Sequence, residues 1–260
     1  MNTTACVTGA TAGIGLAFAE VLAAEGSDLV LVARNIERLD AVAERLRGDA
    51  GIDVEVLAAD LATDAGCSIV MSRLADGSRP VDVLVNNAGF GVNDSFVGGS
   101  LVEEERLLDV LVRATLRLTH AVLPGMVERG QGSVINVSSV AGWVPSGTYG
   151  AAKSWVTVFT EGLAGELAGT GVAATAVCPG FTHTEFHERA QMSVSALPEW
   201  VWLDARRVAV EGLAAARSGR VINVPSKRYT SLSLIARHAP RALLRRASAA
   251  PSLRARTGQQ

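Results

Sequence analysis

Short apolar runs alternate with helical patterns along most of the chain. Thr4 to Thr8 predicts a strand, and Ile14 to Glu25 a helix stopped by Gly26. Leu29 to Ala33 is apolar without alternation, as expected of a strand buried on both faces. Ile36 to Arg47 predicts a helix with Gly48 as its stop. Further strands are predicted at Val54 to Ala58, Val81 to Val85, Ser133 to Val137, Val172 to Cys178 and Arg220 to Val224. Long helices are predicted from Glu103 to Val127, with Pro124 near the end, and from Tyr149 to Leu167. Seven strands with crossover helices between most of them mean an α/β fold. The expected architecture is a single-domain, Rossmann-like doubly wound parallel sheet of about seven strands, with helices on both faces. Ligands in such folds bind beyond the carboxyl ends of the strands, so chemistry is expected where strands stop.

Composition narrows the class. The chain has 260 residues, 48% hydrophobic and 19% charged, which suits one sizeable globular domain. A net charge of -2 gives no reason to expect nucleic acid. Cys6, Cys67 and Cys178 are scattered in or beside apolar stretches, which fits buried thiols rather than a disulfide framework or a metal cluster. No signal peptide is expected at the N-terminus, and no stretch approaches the roughly 18 apolar residues of a membrane span. Cytoplasm is the default location. Lysine occurs only at Lys153 and Lys227, and with the abundance of alanine and arginine this suggests a GC-rich bacterial source. No acidic residue follows Glu211, while ten basic ones do. Such a tail is often solvated or paired with the acidic body of the same protein. Residues 226–260 are read as a basic extension, helical and then frayed.

The first strand runs into Thr8-Gly9-Ala10-Thr11-Ala12-Gly13-Ile14-Gly15. Glycines between a strand and a helix allow a tight turn and close approach of a pyrophosphate, which the free N–H groups of the helix start then face. The second strand ends Val32-Ala33-Arg34-Asn35, with no acid at its tip. An acid there would bond the ribose hydroxyl of NAD, whereas an arginine accommodates the 2′-phosphate of NADP. NADP(H) is therefore expected, with NAD(H) as the lesser alternative. The third strand ends Ala58-Ala59-Asp60-Leu61, which puts a carboxylate near the adenine.

Four more segments stand in order after the glycine turn: Asn86-Asn87-Ala88-Gly89, Ser138-Ser139, Tyr149-x-x-x-Lys153 and Pro179-Gly180. With that turn they resemble the short-chain dehydrogenase/reductase family over roughly residues 3 to 225. The resemblance implies an oxidoreductase acting on CH-OH groups, with residues 1–225 forming the dinucleotide-binding and catalytic domain. It implies that Gly9, Thr11, Gly13, Ile14 and Gly15 hold the pyrophosphate. Asp60 and Leu61 would contact the adenine, with Asn87, Ala88 and Gly89 by the cofactor ribose. Pro179, Gly180, Thr182 and Thr184 would hold the nicotinamide carboxamide. Tyr149 matches the catalytic acid/base, Lys153 the residue that holds the ribose and lowers the tyrosine pKa, and Ser139 the hydroxyl that orients substrate. The physics agrees: Lys153 lies one helical turn from Tyr149, and its charge favours a phenolate that is otherwise formed only near pH 10. Two departures stand out. The interval from Ser139 to Tyr149 is shorter than usual in the family, which leaves Ser138 as a rival hydroxyl. Leu111 stands where the family has a catalytic asparagine that helps seat a water behind the lysine; Thr115 is the candidate replacement.

Phe181, Phe186, Met192, Leu197, Trp200 and Trp202 fall in a variable region, and Phe90, Phe96 and Trp143 on other loops at the same sheet edge. They suit an apolar pocket wall, or equally a dimer contact or lid packing. The expected partner is a small-molecule substrate, a medium or large apolar ketone or aldehyde or the matching alcohol. The rival readings are a cofactor-binding regulatory or assembly protein, resting on Leu111, and a sugar-nucleotide epimerase. Apolar positions on the two long helices, and the resemblance, imply a homodimer or homotetramer. The arginine-rich tail could cover the substrate mouth, dock on a neighbouring subunit or touch anionic lipid, with lipid ranked last.

Overall fold

The computed structural model describes residues 3–92, 95–186 and 197–248. Seven parallel strands stand in the order β3-β2-β1-β4-β5-β6-β7, as the apolar runs predict. They are β1 Thr4–Thr8, β2 Asp28–Ala33, β3 Val54–Ala58, β4 Val83–Asn86, β5 Gly132–Val137, β6 Val172–Val177 and the short β7 Ile222–Asn223. Side chains alternate across each strand, and both faces are buried. Ala5, Val7, Leu29 and Leu31 enter one core with Phe18 and Leu22 of helix α1 (Gly13–Ala24). Cys6, Val30 and Val32 enter the other. This is why the strands are mostly apolar, whereas a half-solvated face would expose one residue in two; polar exceptions such as Asn86, Asn136 and Thr175 are buried.

Helices α2 (Ile36–Ala50) and α7 (Ala205–Arg217) flank the first core, and α3 (Asp64–Leu74), α5 (Thr115–Arg129) and α6 (Gly147–Glu166) the second. Gly48, the expected stop of α2, lies inside it. The helix ends at Gly51, whose left-handed backbone (φ +66°) returns its N–H to the Arg47 carbonyl. The sequence pattern also missed α3 and α7, although each has a capping side chain, Thr63 accepting from the Gly66 N–H and Asp204 from the Arg207 N–H.

The long helix predicted from Glu103 is α4 (Leu101–Leu108), a π-helical stretch Asp109–Ala114, and α5 in continuous succession. By length and composition, Leu101–Arg129 could cross a membrane, which amends the expectation that no stretch approaches a span. Its apolar face, however, packs in the cores through Leu107, Leu111, Leu118, Val122 and Met126. The C-terminal extension forms α8 (Lys227–His238) and α9 (Arg241–Ser248), and its last twelve residues lie outside those described.

Candidate active site

The strand ends converge as the topology requires. Thr8 closes β1, and its hydroxyl accepts from the N–H groups of Asn87 (2.9 Å) and Ala88 (3.0 Å) while donating to the Val85 carbonyl (3.3 Å). The Asn87 amide returns to the Thr8 carbonyl at 2.9 Å. The Asn86–Gly89 segment is thus riveted to the glycine turn, and Thr8 is a site residue that sequence reasoning did not single out. Gly9 and Gly13 take positive φ (67° and 56°). A Cβ at Gly15 would stand 2.3 Å from the Gly9 carbonyl oxygen and from the Asn87 amide nitrogen, and one at Gly13 would stand 2.9 Å from Thr184. Helix α1 starts at Gly13-Ile14-Gly15, just beyond Thr11, with no side-chain cap and no acid in its first turn. That turn fits a pyrophosphate: the uncapped helix start presents free amides and the positive helix end, and its glycines let Asn87 and Thr184 pack close beside it.

Arg34 is exposed just past the tip of β2. Four residues on, Arg38 reaches Glu185 at 2.8 Å. Asp60 accepts from the Ala62 N–H (3.1 Å) and lies 3.5 Å from the Arg106 guanidinium. Leu61 is committed by its side chain to the core.

Ser138 and Ser139, at the end of β5, take different roles. Ser138 is buried, its hydroxyl donating to the Lys153 carbonyl and bonded to the Thr157 hydroxyl, both at 2.7 Å. Ser139 lies beside the Tyr149 phenol, whose pKa its hydroxyl lowers. The Ser139 Oγ also accepts from the Ala141 N–H at 3.1 Å. The shortened loop therefore still brings serine and tyrosine together. The Lys153 Nζ lies 5.8 Å from the Tyr149 ring centroid and donates to the Val137 carbonyl at 2.7 Å.

Electrostatics here differ from the sequence expectation. Burial pushes the Tyr149 phenol up to about 12, against the lowering effect of the Ser139 hydroxyl. Burial likewise lowers Lys153 to about 8. Burial makes the charged form of each group costly and here outweighs the other influences on both. The apolar wall here is Leu107, Leu111 and Ala152, with Phe90, Val92, Val112 and Tyr149 packed against it. Leu111 and the lysine both pack on Gly89: a Cβ there would stand 2.7 Å from the Leu111 Cδ2 and 3.9 Å from the Lys153 Nζ. Thr115 donates its hydroxyl back to the Leu111 carbonyl at 2.9 Å.

The opposite wall is Pro179–Thr184. The Pro179 carbonyl accepts from the Val140 N–H (3.1 Å), and the Thr182 hydroxyl donates to the Gly180 carbonyl (3.0 Å). The aromatic wall is assembled only in part. Phe186 reaches the Tyr149 ring, with centroids 5.7 Å apart, and Phe90 joins the Leu111 cluster. Phe181 and His183 pack on Trp202 instead, and Trp143 lies under Arg237. Phe96 and Trp200 are 69% and 62% exposed, Leu197 is half-buried, and Met192 falls outside the described residues.

A phosphate cradle and a serine–tyrosine–lysine group at one edge of a doubly wound sheet define a nicotinamide-dependent oxidoreductase that acts at an alcohol or carbonyl carbon. The family description "short chain dehydrogenase" matches residues 3–194, and the chain belongs to the short-chain dehydrogenase/reductase family. It is 38% identical over 191 residues to sulfoacetaldehyde reductase 2 of Chromohalobacter salexigens, covering 72% of this chain and 75% of that one. A short-chain dehydrogenase from Sphingobium yanoikuyae, solved in complex with NADPH, is 35% identical and superposes with a TM-score of 0.83 over 99% of this chain and 98% of its own. The bulky-bulky ketone specific alcohol dehydrogenase from Comamonas testosteroni is 29% identical, with a TM-score of 0.78 over 99% and 97% of the two chains.

Proposed function

We propose that this chain is an NADP(H)-dependent reductase of apolar, medium or large ketones or aldehydes. The observation that carries the reading is the grouping of Ser139, Tyr149 and Lys153, with Ser139 beside the phenol and the Lys153 Nζ 5.8 Å from the tyrosine ring. In this reading Gly9, Gly13, Ile14, Gly15, Asn87 and Thr184 border the dinucleotide, which supplies or accepts the hydride when bound. Ser139 Oγ orients the substrate oxygen. Tyr149 Oη gives that oxygen a proton as it becomes an alcohol. A phenol with a pKa near 12 stays protonated at neutral pH, which suits reduction. An ammonium has three donors, and Lys153 uses one on Val137, leaving two for a ribose and for the phenol's side of the site. Phe90 and Phe186 beside Tyr149 give the reacting carbon an apolar wall. The bulky-ketone dehydrogenase among its structural relatives supports that substrate class, and the NADPH-bound relative supports the cofactor. The one-domain reading of residues 1–225, a cytoplasmic location and self-association complete the proposal.

Arg34, exposed past β2, is assigned to the 2′-phosphate, which a guanidinium can hold in a bidentate way. The test is direct. Wild-type protein with a panel of ketones and aldehydes should consume NADPH faster than NADH, read by loss of the reduced-nicotinamide absorbance. Arg34→Asp should reverse the preference. Equal affinity of the wild type for NADH and NADPH overturns the role of Arg34. Binding of NADPH without turnover of any carbonyl would favour the alternative, a regulatory cofactor-binding protein in which the buried Leu111 marks weakened catalysis.

A further inference from the structure

We infer that Tyr229, from the C-terminal extension, is a positioning residue for the reaction: it fastens the Pro179–Thr184 wall to the far end of the 181–203 segment. Its side chain is buried, 9% exposed, and its hydroxyl serves both ends of that segment at once. The Tyr229 Oη accepts from the Phe181 N–H at 3.1 Å and donates to the Val201 carbonyl at 2.9 Å. A second tie lies beside it: the Leu203 N–H donates to the Phe181 carbonyl (2.8 Å) and the His183 N–H to the Leu203 carbonyl (3.0 Å). Arg228, the preceding residue, donates to the Trp200 carbonyl at 2.7 Å. One turn of α8 thus ties Phe181 to Trp200 and Val201.

The tyrosine ring also explains a glycine. A Cβ on Gly180 would stand 2.0–2.4 Å from three atoms of the Tyr229 ring. Gly180 does not have a positive φ, so the closeness of the ring, not the backbone conformation, demands glycine there. The wall against Ser139 is therefore shaped by a residue 48 positions downstream of Phe181. Helix α8 is itself held in place: Ser226, just before it, takes φ +82°, and its N–H donates to the Glu211 carboxylate at 3.3 Å. The consequence for function rests on the reading that Pro179–Thr184 borders the nicotinamide ring. If these ties loosen, that wall no longer fixes where hydride and carbonyl carbon meet, and misplacement of this kind lowers turnover more than binding.

Tyr229→Phe tests this, since it removes one oxygen and keeps the ring. In the cofactor-free protein, amide exchange at Phe181 and Leu203 should quicken about tenfold while β5 and β6 are unchanged, the scale of one buried hydrogen bond. Turnover of the carbonyl should fall about tenfold with NADPH affinity changed less than twofold. Gly180→Ala should impair the wild type strongly and cost much less in a Tyr229→Ala background, where the ring is gone. Unchanged exchange at Phe181, or a Gly180→Ala penalty equal in both backgrounds, overturns the inference. Uniformly faster exchange with unaltered turnover overturns it too, as the mark of a merely structural tyrosine. Faster exchange at Phe181 and Leu203 in a protein whose wild type reduces no carbonyl supports the fastening and overturns only the proposed function.

Discussion

Tyr149 and Lys153 both bear a cost for being charged, and the two costs act differently. Tyr149 is neutral at neutral pH in the folded and the unfolded chain, so its raised pKa matters to chemistry rather than to stability. Tyr149→Phe should keep the fold and NADPH binding and lower turnover by roughly 10²–10⁴, the usual contribution of general acid catalysis; near-normal turnover would refute the mechanism. Lys153 differs because its ordinary value, 10.5, falls to about 8 on folding. Between those values the unfolded chain binds more protons than the folded one, so this residue's contribution to stability improves as pH rises from about 8 to 10.5. Below about 8 the whole penalty is present. Lys153→Met should abolish turnover yet raise the cofactor-free Tm at pH 7 by roughly 5 °C, with the gain shrinking towards pH 10. Scanning calorimetry at the two pH values checks both the sign and the window.

At the scale of elements, the π-helical stretch Asp109–Ala114 carries the position where the resemblance implies an asparagine. Leu111 sits in it, 1% exposed, against Gly89 and the catalytic wall. An asparagine there would bring back a polar group beside the lysine, at a stability cost of about 1–3 kcal/mol for an imperfectly paired buried amide. We expect Leu111→Asn to raise turnover with little change in KM, because the leucine denies the lysine a relay to solvent. Turnover that is unchanged or lower would show that the site has its own proton route. Thr115 is a poor substitute, since its hydroxyl is spent on the Leu111 carbonyl.

The strands were legible because burial on both faces leaves an unbroken apolar run, and the motifs because each lies at a strand end. Helix α3 escaped notice because Gly66, Cys67 and Ser68 break its apolar rhythm early. Gly48 misled because a glycine inside a helix looks like its end. The choice between Ser138 and Ser139 needed the backbone path, which turns one hydroxyl into the core and the other outward. Tyr229 was not legible at all: its partners are two backbone groups on a distant segment, and no spacing encodes that.

At the scale of the molecule, the basic tail turns inward. Arg217 pairs with Glu25 and Arg237 with Glu161, and Arg241 donates to the Trp143 carbonyl. These contacts with the chain's own body account for the three arginines without a lipid surface. Apolar side chains remain exposed elsewhere, chiefly Leu101, Val102 and Leu116 along α4 and α5 and Val158 on α6. We expect these helices to pair across a two-fold axis. Light scattering at micromolar concentration should give a dimer or tetramer mass, and Leu116→Glu with Val158→Glu should reduce it; a wild-type monomer would count against the pairing.

The strand order has a consequence for how the chain is made. The outer half of the sheet, β3-β2-β1, is complete once Ala58 has been synthesised, but β1 then presents an open edge until Val83–Asn86 arrives to pair with it. Next β4 waits in turn for β5, and β5 for a strand that begins only at Val172. Synthesis from the N-terminus therefore adds strands outward from β1, and every stage displays an unpaired apolar edge of the kind that templates aggregation. The last such edge, at β6, is covered by a strand of only two residues, Ile222–Asn223.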